Sequence, residues 1–290
     1  MRARLALLSE LPLIWSAAAA RWSKLNERQR SPDGPDRSAE YLLYQTLVGA
    51  WPLGPDRALE YMVKAAREAK TETSWIANNH GYEAALERFV RGILADPEFL
   101  ADLEDFVQPL IVPGQINSLA QKLLCLTAPG VPDCYQGCEL WDLSLVDPDN
   151  RRPVDFAKRA RLLDELDAMG DGAAGVWREG EDSGLAKLLV VARALRLRER
   201  RPEIFAAGYE PLRVEGPKAD HAIAFKRGDG AITVVPRLVW GLAGDRGTTT
   251  TALPKGRWRD VFSGAEHAGG LVALTELLGA FPVALLEHVG

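Results

Sequence analysis

The chain has 290 residues and a mass of 31.8 kDa, with 47% apolar and 26% charged residues. That is enough apolar material for one large domain or two ordinary ones, and it excludes a disordered polymer. Lys plus Arg (35) against Asp plus Glu (40) leaves a net charge of −5, so the basic footprint of a nucleic-acid binder is missing.

Read in chain order, the first two-thirds is helical. Leu5, Leu8, Leu11 and Trp15 recur three or four apart, as do Ala18 and Trp22. The basic start Arg2-Ala3-Arg4 leads into apolar residues that Ser9, Glu10 and Pro12 soon interrupt, so no signal peptide is expected. Residues 26–38 carry Pro32, Gly34 and Pro35 and are expected as an exposed loop. Tyr41 to Val48 reads as a buried helix ended by Gly49 and Pro52. Asp56 is expected to cap the next helix, with Ala58, Tyr61, Met62, Ala65 and Ala66 as its apolar stripe. Tyr82, Leu86, Phe89, Val90, Ile93 and Leu94 form another stripe. Asp96-Pro97 then reads as a capped helix start.

The segment from Gly114 to Gly137 changes character. Asn117 or Ser118 is expected to cap a helix that Pro129-Gly130 stops, and Val131 to Gln136 reads as a short buried strand. Helices follow near 156–169 and 184–200. The second ends in Arg193, Arg196, Arg198, Arg200 and Arg201, read as a solvated basic end rather than an anion site. Beyond Phe205 the pattern is β. Residues 223–225 and 232–235 make a hairpin about Gly228-Asp229-Gly230, Pro254-Lys255-Gly256 reads as a turn, and Phe281 to Leu286 is a last apolar run. The expected fold is α+β. A mostly helical region, 1–204, includes the last strand–loop–helix of a TIM-type α/β barrel, and a small antiparallel β domain, 205–290, follows it.

Residues 129–155, PGVPDCYQGCELWDLSLVDPDNRRPVD, are the densest polar stretch. Carboxylates and Arg give directional bonds to vicinal hydroxyls, and aromatic faces pack on pyranose rings. The stretch therefore suits a sugar subsite, a reading favoured over the plainer one in which Asp149, Asn150 and Arg151 merely build turns and ion pairs. Trp75 beside Asn79 could line a saccharide groove or fill the core. Four scattered His and a Cys134–Cys138 spacing foreign to zinc argue against a metal. Phosphate-loop, dinucleotide and nucleophile-elbow motifs are missing, so no cofactor is expected. Cys125, Cys134 and Cys138 are expected as reduced thiols filling apolar space in a cytoplasmic protein. No apolar run approaches the ~20 residues of a membrane span, so no membrane partner is expected.

Five segments carry a family resemblance: RARLALLSELP (2–12), EYLLYQTLVGAWP (40–52), KAAREAKTETSW (64–75), NSLAQKLLCLTAPGVPDCYQGCELWDLSLVDPDNRRPVD (117–155) and PVALL (282–286). The chain resembles the C-terminal part of the maltooligosyltrehalose synthase family, within the α-amylase superfamily. Asn78, where the family has Pro, and His80, where it has an acid or small polar residue, depart from the pattern. The resemblance implies conversion of the reducing-end α-1,4 bond of a maltooligosaccharide into an α,α-1,1 bond. It also implies that the reacting carboxylates lie on earlier barrel strands, leaving no catalytic residue here. By resemblance, Tyr135, Gln136, Glu139, Trp141, Asp142, Asp147, Asp149, Arg151 and Arg152 belong to the last barrel loop. Lys70, Trp75 and Asn79 belong to a helical insertion. Together they are expected to shape the pocket for the reducing-end glucose. The implied partners are a maltooligosaccharide and the N-terminal barrel portion, or a second copy across the exposed strand. A non-catalytic maltooligosaccharide-binding module and a structural scaffold are the competing readings.

Overall fold

The computed structural model describes residues 1–177 and 183–290, which divide into two compact units. The first comprises Met1–Gly114 and Leu143–Pro153, the second Gln115–Asp142 and Val154–Gly290. Among the described residues, no single helix is long and apolar enough to cross a membrane.

The first unit is helical: α1 (Arg2–Leu5), α2 (Pro12–Leu25), α3 (Arg37–Ala50), α4 (Pro55–Ala69), α5 (His80–Ile93) and α6 (Pro97–Val107). Proline opens α2, α4 and α6, where its missing N–H costs nothing. Asp96 caps α6 as expected, its carboxylate accepting from the Glu98 N–H. Asp36 caps α3 in the same way, accepting from the N–H groups of Ser38 and Ala39. Asp56 is no cap. Gly54 occupies that position, and Asp56 lies in the first turn, where its charge meets the positive helix end.

Trp22 is fully buried at the centre of the aromatic core. The rings of Trp15, Tyr44, Phe99 and Phe106 lie 5.3–5.8 Å from it, all edge-on. Its indole N–H donates to Asp102 at 2.8 Å, and Arg21 holds the same carboxylate through two bonds. The guanidinium keeps Asp102 below the usual carboxylate range. The loop expected to be exposed is partly interior, because Asn26, Gly34 and Pro35 are buried. Asn26 donates to the Tyr44 hydroxyl at 3.1 Å, and that hydroxyl donates to Glu40 at 2.9 Å. Gly34 lies against the Tyr82 ring, whose hydroxyl donates to Asp36 at 2.6 Å. These tertiary partners leave no trace in local composition.

The second unit holds α7 (Ile111–Thr127, the greater part), α8 (Phe156–Met169), α9 (Leu185–Arg200), α10 (Pro202–Ala206), α11 (Val239–Leu242) and α12 (Leu274–Leu277). Its strands are β1 (Tyr209–Leu212), β2 (Val214–Glu215), β3 (Ala222–Arg227), β4 (Ala231–Pro236), β5 (Thr250–Asp260), β6 (Glu266–Ala273) and β7 (Ala284–His288). They form one antiparallel sheet in the order β1-β3-β4-β7-β5-β2, with β6 also paired to β5. The predicted hairpin is present, with Arg227 opposite Ala231 and Ala222 opposite Pro236.

Alternation along the strands feeds two cores. Ile232, Val234 and Leu286 pack with Leu253, Trp258 and Val272. Ala231, Val235 and Leu285 pack with Leu189, Val190 and Leu197 of α9 and with Leu119, Leu123 and Leu126 of α7. The sheet is therefore buried on both faces along β4. α7 and α9 share a core with the sheet, and the two units change over at 114/115, 142/143 and 153/154.

Three further expectations fail for physical reasons. The helix expected to start at Asn117 or Ser118 begins at Ile111, since Pro113 in the first turn needs no intrahelical donor bond. Residues 131–135 form no strand, and Val131 is 98% exposed. A strand exists only with a neighbour to complete its ladder, and the described strands all belong to the sheet that starts at Tyr209. The expected barrel unit is therefore extended chain, a turn and α8. Finally, Pro254-Lys255-Gly256 is a bulge inside β5, not a turn. Gly256 adopts φ +126°, and a Cβ there would lie 2.2 Å from His288 Nε2. The arginine run at the end of α9 is taken up by acceptors: Arg196 pairs with Asp167, Arg198 donates to the Leu126 carbonyl, and Arg200 pairs with Glu287.

Two stability outcomes follow. Trp22→Ala is expected to cost about 3–5 kcal/mol in urea unfolding, through lost burial and the cavity left behind. Gly256→Ala is expected to cost about 1–3 kcal/mol, from backbone strain and the clash with His288.

Candidate functional site

A groove of about 630 Å³ lies in the first unit. One stripe of α4 makes its floor, where Asp56, Leu59, Glu60, Val63, Lys64, Arg67 and Glu68 recur three or four apart. Trp75, Arg91, Asp147 and Pro148 complete the lining. Lys70 ends α4 in the left-handed conformation, φ +59°, which turns the chain toward Trp75. Asn79 then caps α5 by accepting from the Tyr82 N–H at 3.1 Å.

The Trp75 indole is 55% exposed. Arg67 places its guanidinium 4.9 Å from the ring centre and also forms two bonds to Glu83, at 2.8 and 2.7 Å. Thr73 adds a third bond to Glu83, at 2.8 Å. Arg67 is the main cause that holds the Glu83 carboxyl down at about 2. Across the groove, Lys64 donates to the Asp147 carboxylate at 2.9 Å and to its carbonyl at 2.8 Å. That contact lowers the Asp147 pKa and raises that of Lys64.

Residues 143–153 are held in place by Asp149, which is buried. Arg57 meets both its oxygens at 2.8 Å, the Leu145 N–H donates at 2.7 Å, and Arg152 lies 3.1 Å away. The Arg57 contact keeps Asp149 ionised below the ordinary carboxylate range. Arg151 is exposed and pairs with Asp147 at 3.3 Å. Arg152 also donates to the Asp149 carbonyl at 3.0 Å.

The remaining expected site residues belong to the second unit. Tyr135 and Gln136 are exposed. Glu139 pairs with Arg159, which also donates to the Gly137 carbonyl at 3.1 Å. Trp141 packs on the core that α7 and α9 share with the sheet, and its indole nitrogen is buried without an acceptor among the described residues. Asp142 and Glu139 lie within electrostatic reach of Lys187, a buried amine whose pKa burial lowers.

Of the twelve expected residues, Trp75 and Asp147 line the groove. Lys70, Asn79, Asp149 and Arg152 shape the chain around it, Arg151 braces Asp147, and Tyr135, Gln136, Glu139, Trp141 and Asp142 form a separate set. Sequence reasoning missed Lys64, Arg67, Glu60 and Glu68. Their regular spacing reads as the solvated face of an amphipathic helix, and only the fold puts Trp75 and Asp147 opposite it.

The depressed pKa of Glu83 has a definite sign. A carboxylate whose folded pKa lies below its ordinary 4.5 contributes stability above that value and loses it as pH falls toward 2. The melting-temperature gap between the wild type and Glu83→Gln should therefore be widest above about pH 5 and close as pH approaches about 2.

No family model matches the chain. A Mycobacterium tuberculosis protein assigned as a maltooligosyl trehalose synthase is 37% identical over 295 aligned residues, covering 99% of this chain and 35% of that protein. The structure of maltooligosyltrehalose synthase from Arthrobacter ramosus superposes with a TM-score of 0.88 at 44% identity, covering 99% of this chain and 36% of that one. A solved glycosyltrehalose synthase, DSM5389, gives a TM-score of 0.79 at 30% identity with the same coverage. The chain thus spans about a third of the length of the relatives it matches. With sequence and fold in agreement over 99% of its residues, the chain is homologous to the C-terminal part of maltooligosyl trehalose synthases.

Proposed function

We propose that the chain supplies saccharide-binding walls to a trehalose-forming isomerase, which converts the reducing-end α-1,4 bond of a maltooligosaccharide into an α,α-1,1 bond. The observation that carries this reading is the exposed Trp75 indole in a groove lined by both signs of charge. Lys64, Arg67 and Arg91 are set against Asp56, Glu60, Glu68 and Asp147. A neutral polyhydroxylated ring suits such a lining. Its apolar face packs on the indole, and its hydroxyls donate to carboxylates and accept from ammonium and guanidinium groups. A net anionic ligand would face repulsion from the four acids of the lining, a net cationic one from its three bases.

Retaining glycosyl chemistry needs two carboxyl groups about 5–5.5 Å apart, one of them held protonated by its surroundings. Asp147 and Asp149 are pushed the other way, toward the ionised form. They suit hydrogen-bond acceptance and loop anchoring, not proton donation. This supports a division of labour in which the reacting acids belong to the barrel portion of the enzyme and this chain holds sugar. Tyr135, Gln136, Glu139, Trp141 and Asp142 make a second sugar-facing surface in this reading, and the exposed run 131–135 receives the barrel portion or a second copy. The ionised state of the same carboxylates also favours an alternative, a maltooligosaccharide-binding module without turnover.

Calorimetric titration with maltopentaose, paired with an assay for loss of reducing ends, tests the proposal. The chain should bind the sugar, and Trp75→Ala should weaken binding about ten-fold, equivalent to ~1.4 kcal/mol. Non-reducing product should form only when the barrel portion of a relative is added. Failure to bind, or product from the chain alone, would overturn the reading. Binding with no product after complementation would favour the binding module.

A further inference from the structure

The three cysteines of the chain, expected as apolar filler, are gathered around one lysine. Lys122 Nζ lies 3.4 Å from Cys138 Sγ and 3.9 Å from Cys134 Sγ. Cys125 is near enough to act on the same charge. All three thiols are unbridged. Cys125 and Cys134 are exposed and Cys138 is partly so. The Cys138 N–H donates to the Tyr135 carbonyl at 3.1 Å, and this turn folds the loop back so that both sulfurs reach the same ammonium. Cys138 also lies within electrostatic reach of Lys187, which is buried. A partly exposed thiol in contact with a lysine ammonium is in the setting where reactive thiols occur.

We infer that Cys134 and Cys138 form a thiol-oxidation site, with Cys138 as the attacking sulfur, Cys134 as the resolving one and Lys122 as the cation that positions both. The oxidant class is a hydroperoxide. In the first step the Cys138 thiolate attacks a peroxide oxygen. An S–O bond forms, the O–O bond breaks, and hydroxide leaves and takes up a proton to become water. In the second step the Cys134 sulfur attacks the sulfenic sulfur of Cys138. The S–S bond forms, the S–O bond breaks, and the departing hydroxide takes the Cys134 thiol proton as a second water. Two thiols and one hydrogen peroxide thus give one disulfide and two waters. The loop 134–138 would then be closed covalently. This inference uses no residue of the Trp75 groove.

The test treats the whole chain with limiting hydrogen peroxide, blocks remaining thiols with iodoacetamide, and maps the products by mass spectrometry. Chymotrypsin cleaves after Tyr135, between the two cysteines, so a Cys134–Cys138 disulfide joins two peptides that dithiothreitol separates. Cys138 should oxidise roughly ten-fold faster than Cys125. Lys122→Gln should remove most of that advantage and Lys122→Arg should keep it, while full denaturation should equalise the three thiols. Equal rates in the native wild type would overturn the inference. So would a rate unchanged in Lys122→Gln, or linkage through Cys125 or between chains.

Discussion

The bond network around Asp149 is the constraint on which the first unit's groove depends. Residues 143–153 have no regular secondary structure beyond one short 3-10 turn, so nothing in their own backbone fixes their path. A single buried carboxylate does it, through the Arg57 fork, the Leu145 N–H and Arg152. A buried carboxylate left with fewer donors would be expensive, so this arrangement is close to all-or-none. With Asp149 seated, Asp147 arrives opposite Lys64, and a helix face becomes the floor of a groove. Chain order would not suggest this, since Arg57 and Asp149 are 92 residues apart.

The second unit is organised by a different principle. Its order comes from alternation, with neighbouring residues of β4 and β7 sent to opposite cores. A register slip by one residue would exchange the two cores completely, which is why the pairing is well specified. Where alternation lapses, at the β5 bulge, the Trp258 indole N–H donates to the Pro254 carbonyl at 2.9 Å and stabilises the irregular segment.

Much of this was legible from residues alone. The Asp96-Pro97 start, the helix at 156–169 and the hairpin about Gly228 are set by short-range chemistry: a cap, a period and a turn. The failures concern features that belong to pairs of distant segments. Whether 131–136 is a strand depends on having a neighbour. Whether Asn26 and Gly34 are buried depends on Tyr44 and Tyr82. The site shows the same contrast. Trp75 and Asp147 could be named as candidates by residue type, whereas Lys64 and Arg67 could not, because a charged helix face looks alike whether it meets water or a loop. The resemblance to trehalose-forming enzymes, carried by whole segments, survived comparison with relatives, while individual residue roles rest on geometry.

The double engagement of Arg67 has a consequence for what the groove can hold. Glu83 fixes the guanidinium plane, and that plane occupies one side of the Trp75 indole. A ligand then has only the opposite side of the ring to lie on, so the indole is a one-sided platform. It can support a single flat surface, never a sandwich between two, and lysine could not replace the planar cation that imposes this asymmetry.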